Sequence, residues 1–130
     1  MITGVIAQLR TTNLRESIAF YTATLGFTLE FQYEDFYAGI RAGEQMVHLK
    51  LVDAADPSIA FVREGEHFDL YFGTDDLARA ADSLHEKGVP FVQAVHETAW
   101  GTREFVINDD QSSCAPFCRI VRQKQGPRLR

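Results

Sequence analysis

Two stretches of the chain carry the same hydrophobic rhythm about 63 residues apart. In the first, Val5, Ala7 and Leu9 alternate with Ile6, Gln8 and Arg10, the period-two pattern of a strand. Asn13 then stands where a helix cap belongs, with Glu16 three residues on as in a capping box. Ile18, Phe20, Tyr21 and Leu25 supply an apolar helical face, and Gly26 ends it. Residues 27–33, 36–41 and 46–52 read as strands, the last two joined by the turn Ala42-Gly43-Glu44-Gln45. Residues 53–66, with Asp56-Pro57 and Gly65, have the composition of a linker.

The rhythm restarts at Phe68. Residues 68–73 form the next apolar run, and Asp75 or Asp76 caps a second helix with Leu77, Ala80, Ala81 and Leu84 on its apolar face. Gly88 closes that helix, and residues 89–95, 103–107 and 114–121 complete the strands, with turns over 96–102 and 108–113. The pattern predicts an α+β fold of two tandem βαβββ modules. Helices cover the outer face of mixed sheets, whose bare faces curl toward each other into a cup served by both halves.

Composition narrows the function classes. A chain of 130 residues, 45% hydrophobic, has the size and apolar content of one ordinary domain. No apolar run reaches membrane-spanning length and the N-terminus lacks a secretory pattern, so a cytoplasmic protein is expected. Net charge is −5, and all 18 acids lie at or before Asp110, whereas five of the 13 Lys and Arg lie from Arg119 onward. An acidic body disfavours nucleic acid and anionic membrane surfaces as partners and gently favours cationic ligands; it also serves plain solubility. Cys114 and Cys118, four apart on a strand, are separated by about 13 Å and read as reduced thiols. The polar tail 123–130 is expected to fray. There is no glycine-rich phosphate loop, G-x-S-x-G elbow or C-x-x-C pair.

The segment Asn13-Leu14-Arg15-Glu16-Ser17-Ile18-Ala19-Phe20-Tyr21, followed by Leu25-Gly26-Phe27, resembles the D-L-x-x-S-x-x-F-Y-x-x-x-L-G-F signature of the vicinal oxygen chelate superfamily. That superfamily includes glyoxalase I, extradiol dioxygenases, fosfomycin-resistance enzymes and bleomycin-resistance proteins. Thr74-Asp75-Asp76-Leu77, Lys87-Gly88-Val89, Trp100-Gly101-Thr102-Arg103-Glu104-Phe105 and Asn108-Asp109-Asp110-Gln111 resemble its later landmarks. The resemblance spans residues 3 to 122. It implies one domain over 1–122, with modules over about 3–53 and 66–122, and it implies dimers.

It also implies where a divalent metal would be held. The family's four ligand positions fall on Ile6, His48, Asp69 and a site near Pro116, of which Ile6 and Pro116 have no ligand atom. A rearranged set of Gln8, His48, His67 and Asp69 is the alternative, in a metal-dependent lyase or dioxygenase. A lone strand histidine is otherwise a hydrogen-bonded pocket or core residue, so the ligand set favours a protein with no metal cofactor.

Strand parity gives the candidate pocket. Val47, Leu49 and Leu51 face the helices, which leaves Met46, His48, Lys50 and Val52 for the cup. By the same alternation Phe68, Leu70 and Phe72 face the helix, and Asp69, Tyr71 and Gly73 the cup. Trp100 either stacks on a flat ligand or plugs the cup. Phe36 and Tyr37 are similar candidates, and either Arg103 or Glu104 points inward, where a buried charge requires a partner such as Asp69. The candidate ligand-binding residues are thus His48, Lys50, Asp69, Tyr71, Trp100, Arg103 and Phe36. The expectation is a homodimeric, bleomycin-resistance-like protein that sequesters a cationic or aromatic small molecule without catalysis.

Overall fold

A computed structural model describes residues 1–65, 68–110 and 117–122 of the chain. His67, Cys114, Pro116 and the tail 123–130 lie outside the described residues. The architecture is α+β, and the described residues form eight strands in two four-stranded mixed sheets and three α-helices. In order the elements are β1 (Ala7–Thr11), α1 (Leu14–Ala19), β2 (Thr28–Tyr33), β3 (Tyr37–Ala42), β4 (Gln45–Leu51), α2 (Pro57–Gly65), β5 (Asp69–Thr74), α3 (Leu77–Glu86), β6 (Phe91–Glu97), β7 (Arg103–Asn108) and β8 (Phe117–Arg122). The sheets run β1-β4-β3-β2 and β5-β8-β7-β6, each with one parallel pair, β1 with β4 and β5 with β8. This is the strand order of two tandem βαβββ modules.

The described residues form two compact units, one of residues 1–65, 68, 109 and 110, the other of 69–108 and 117–122. In the first, Asn13 caps α1 by accepting from the Glu16 backbone N–H at 3.1 Å. The helix continues as a π-helical turn over Phe20–Thr24, marked by the Leu25 N–H donating to the Phe20 carbonyl at 3.0 Å. Gly26, at φ +81°, stops it, and Gly88, at φ +75°, stops α3 in the same way, so both copies end on a left-handed residue that a side chain would strain. The core of this unit joins Leu14 and Tyr21 of the helical segment to Leu9, Ala38, Ile40, Val47 and Leu49, which the register sets on one sheet face.

Residues 53–66, expected as a linker, instead contain the helix α2. Asp56 accepts from the Ser58 backbone N–H at 2.9 Å and Pro57 occupies the first turn, where its missing N–H costs nothing. Ile59 is the buried contact of α2. A second difference concerns the turn over 108–113, which the alternation assigns to the second module. Asp109 and Asp110 belong to the first unit: the Tyr21 hydroxyl donates to Asp109 Oδ2 at 3.1 Å, and the Ser17 hydroxyl to Asp110 Oδ2 at 2.7 Å. Ser17 also meets Thr11 Oγ1 at 2.6 Å, and both hydroxyl residues are fully buried.

In the second unit Asp76, not Asp75, caps α3, accepting from the Arg79 N–H at 3.1 Å. Leu77, Ala81 and Leu84 of α3 are buried, as are Leu70, Phe105, Ile107, Cys118 and Ile120, which the register places on one face. Phe91 stacks between Phe105 (4.8 Å between centroids) and His85 (4.0 Å), tying β6 to the end of α3.

Candidate functional site

The face of the first sheet opposite its core carries a polar network. Parallel pairing sets Gln8 beside His48, and antiparallel pairing sets Gly39 on His48's other side. Tyr37, two residues before Gly39, reaches along this face. Its hydroxyl lies 3.0 Å from Gln8 Nε2, which donates to it, and 2.9 Å from His48 Nδ1. Phe31 faces Gly39 across β2 and β3, and a Cβ at residue 39 would overlap its ring. Glycine is therefore what lets Phe31 lie flat on the sheet. From there the ring stacks on Tyr37 at 6.3 Å and presents its edge to His48 at 5.3 Å. His48 and Tyr37 are half-buried, whereas Gln8, Phe31 and Lys50 are exposed.

Lys50 lies on this same face, in register with Tyr37 and Arg10. Arg10 donates to Asp56 at 3.3 Å, and Arg41 makes a two-armed bridge to Glu30 at 2.9 Å. Hydrogen bonding to Arg41, then its charge, holds the Glu30 carboxyl below its usual range. Phe36 sits in the β2–β3 turn, edge-on to Tyr33 at 5.4 Å, so Tyr37 rather than Phe36 joins the His48 network.

The second unit has its own cluster on the face away from α3. Arg119 Nη1 donates to Glu104 Oε2 at 2.8 Å and its Nε to Asp69 Oδ2 at 3.0 Å, while the guanidinium lies 5.9 Å from the Tyr71 ring centroid. Glu104 is only 1% exposed, so its charge needs this partner. The hydrogen bond to Glu104, with smaller contributions from Asp69, raises the Arg119 pKa above its ordinary value. Asp69 Oδ1 is buried without a hydrogen bond among the described residues.

Of the pair Arg103 and Glu104, it is Glu104 that is buried; Arg103 is exposed and paired in register with Arg122 on the other face. Among the described residues Asp69 and Glu104 are linked through Arg119. That arginine escaped the sequence reading because nothing local distinguishes it within residues 114–121. Tyr71 is 57% exposed, and Trp100 is 61% exposed in the β6–β7 turn, closed by the Thr98 N–H donating to the Thr102 carbonyl at 2.8 Å. His48 and Lys50 thus share one face of the first unit, and Asp69 and Tyr71 share one face of the second. Among the described residues Phe36 contacts Tyr33, Trp100 sits in the β6–β7 turn and Arg103 lies on the opposite sheet face, so none of the three joins either cluster.

A family model described as the glyoxalase/bleomycin resistance protein/dioxygenase superfamily matches residues 4–112. The chain belongs to this superfamily. Among solved structures, a bleomycin resistance determinant encoded on the transposon Tn5 aligns with a TM-score of 0.72 at 18% identity, covering 93% of this chain and 98% of that one. A bleomycin-binding protein complexed with bleomycin gives 0.72 at 18% identity, covering 95% and 100%. A lactoylglutathione lyase from Agrobacterium tumefaciens gives 0.69 at 16% identity, covering 92% of each chain. At such identities the likeness is one of fold. No curated protein matches the sequence.

Of the superfamily's four ligand positions, only His48 and Asp69 carry a ligand atom among the described residues, and both are engaged within the protein. Ile6 precedes β1 and offers only hydrocarbon, His48 turns Nδ1 to Tyr37, and Asp69 is engaged by Arg119. No group of three or more His, Cys, Asp or Glu among the described residues could hold an ion. His67 and Pro116 stand outside that comparison.

Proposed function

We propose that this protein binds and sequesters a small aromatic molecule without metal catalysis, in the manner of the bleomycin-resistance branch of its superfamily. The observation that carries this reading is the Gln8–Tyr37–His48 network, framed by Phe31, on a sheet face with exposed side chains. Aromatic walls around a few oriented polar groups are the usual make-up of a small-molecule site. The second unit carries a separate cluster, in which two carboxylates around one guanidinium leave a net negative charge beside Tyr71, a setting that suits a cationic group there. The reading places the protein in the cytoplasm, acting against a toxic or antibiotic compound.

A homodimer belongs to the same reading. All six residues of the edge strand β2 are exposed, Leu29, Phe31 and Tyr33 among them, and an open apolar edge invites a partner. Light scattering that returns a monomer at all micromolar concentrations sinks this part.

The test of binding is calorimetric titration with bleomycin and with ethidium as a flat aromatic cation, alongside Phe31→Ala. Saturable binding that weakens in the variant supports the reading. No heat and no rise in melting temperature with either compound counts against it.

A second reading is a metal-dependent lyase or dioxygenase. It is favoured by His48, which occupies the fourth-strand ligand position of the superfamily. Elemental analysis of protein prepared without chelators separates the two: stoichiometric Ni, Zn, Mn or Fe, lost in His48→Ala, supports the enzyme.

A further inference from the structure

The hydrogen bonds of the first unit engage Nδ1 of His48 and leave Nε2 for another partner. The Gln8 amide N–H donates to the Tyr37 oxygen, so the amide nitrogen cannot take the hydroxyl proton. The hydroxyl's other partner among the described residues is His48 Nδ1 at 2.9 Å. Tyr37 donating to Nδ1 is the arrangement that pairs all three groups with one another, and it leaves the ring proton of the neutral imidazole on Nε2. A sheet face usually offers acceptors and donors indifferently; here the exposed end of the relay is a donor.

The charges of the first unit point the same way. Glu30 is paired with Arg41, and Asp56 with Arg10. Lys50 makes no ion pair among the described residues. It lies two residues from His48 on the same strand face, about 7 Å away along the strand and within reach of its flexible stem. Among the described residues Glu30 and Asp56 are therefore both already engaged by arginines. An anionic oxygen finds an N–H donor and an ammonium, beside the exposed ring of Phe31.

We propose that this face selects aromatic acids: the ligand carboxylate accepts from His48 Nε2–H and pairs with Lys50 while its ring stacks on Phe31. This rests on the small-molecule-binding reading above and adds a ligand class that the acidity of the whole chain does not suggest. Net charge governs long-range attraction, whereas selection at contact depends on the groups left unpaired there.

The experiment uses full-length protein with ¹⁵N-labelled histidine and three matched probes, 2-naphthoate, 2-naphthamide and 2-naphthylmethylammonium. Long-range ¹H–¹⁵N spectra read the His48 tautomer, and the Phe31, Tyr37 and His48 resonances report occupancy of this face. We expect the Nε2–H tautomer and 2-naphthoate binding about tenfold or more tighter than the ammonium probe. His48→Ala should cost naphthoate about tenfold, and Lys50→Met, at an exposed position that leaves folding intact, about two- to fivefold. An Nδ1–H tautomer, or equal shifts at these residues from the ammonium probe, overturns the proposal and leaves the binding reading standing. If none of the probes moves these resonances at millimolar concentration, the proposal and the aromatic-binding reading of this face fall together.

Discussion

Tyr37 holds its hydroxyl 2.9 Å from Nδ1 of His48, across adjacent antiparallel strands. Because Gln8 donates to the same oxygen, Tyr37→Phe removes the shared partner of two groups at once. The expected loss is about 1 kcal/mol in urea unfolding, the usual worth of a partly exposed hydrogen bond. His48 should also lose its single preferred tautomer, visible in ¹⁵N spectra. A variant with unchanged stability and tautomer would show that the network is an accident of the surface.

In the second unit, the pair Glu104 and Arg119 should behave as a unit. Arg119→Met leaves the Glu104 carboxylate buried without a partner and should cost about 3–5 kcal/mol. Adding Glu104→Gln should recover part of that loss, with a coupling above about 1 kcal/mol in a double-mutant cycle. The Asp69 arm is part-exposed, so Asp69→Asn should cost less. On the arginine side the sign is simple. A raised base pKa gives stability that is complete below the ordinary arginine value and fades only above it, so alkaline titration to pH 9 should leave the pair intact.

Gly39→Ala separates stability from binding. The new methyl would displace the Phe31 ring, which is exposed on an edge strand and free to swing away. The expected stability change is below about 1 kcal/mol, whereas aromatic ligands of this face should lose affinity as sharply as in Phe31→Ala. Equal affinity in wild type and variant would remove Phe31 from the site.

Acid should loosen α2. The Asp56 carboxyl is held below its ordinary range chiefly by the Ser58 hydroxyl, then by the Ser58 N–H, with Arg10 adding to it. A depressed carboxyl pKa gives stability that is present above the unfolded value, near pH 4, and is lost as pH falls through the folded one. Asp56→Asn should flatten the stability profile over that acid window. Circular dichroism against pH, with identical slopes in both proteins, would refute it.

Strand parity was legible in the sequence because a half-buried strand repeats every two residues. Val47 and Leu49 are buried and His48 and Lys50 face away, as the alternation predicts. The helix caps at Asn13 and Asp76 were legible for the same local reason. Register was not: nothing near Tyr37 announces that β1 and β4 pair in parallel and bring Gln8 and His48 to its hydroxyl. Arg119 is the same problem over a longer separation, since it is 50 residues from Asp69 and 15 from Glu104. The helix α2 was hidden because Asp-Pro-Ser is at once a linker composition and a good helix start.

The buried hydroxyls of Ser17 and Tyr21 find their carboxylates more than 85 residues downstream, after the chain has built most of the other unit. A protein emerging from the ribosome therefore carries a first half whose helix cannot complete its hydrogen bonds until residues 109–110 arrive. Such an arrangement links the fate of the two repeats. Cutting the gene at their apparent boundary should yield two fragments that fold poorly alone and regain structure when mixed, so the duplication can be read in the sequence but not undone in the molecule.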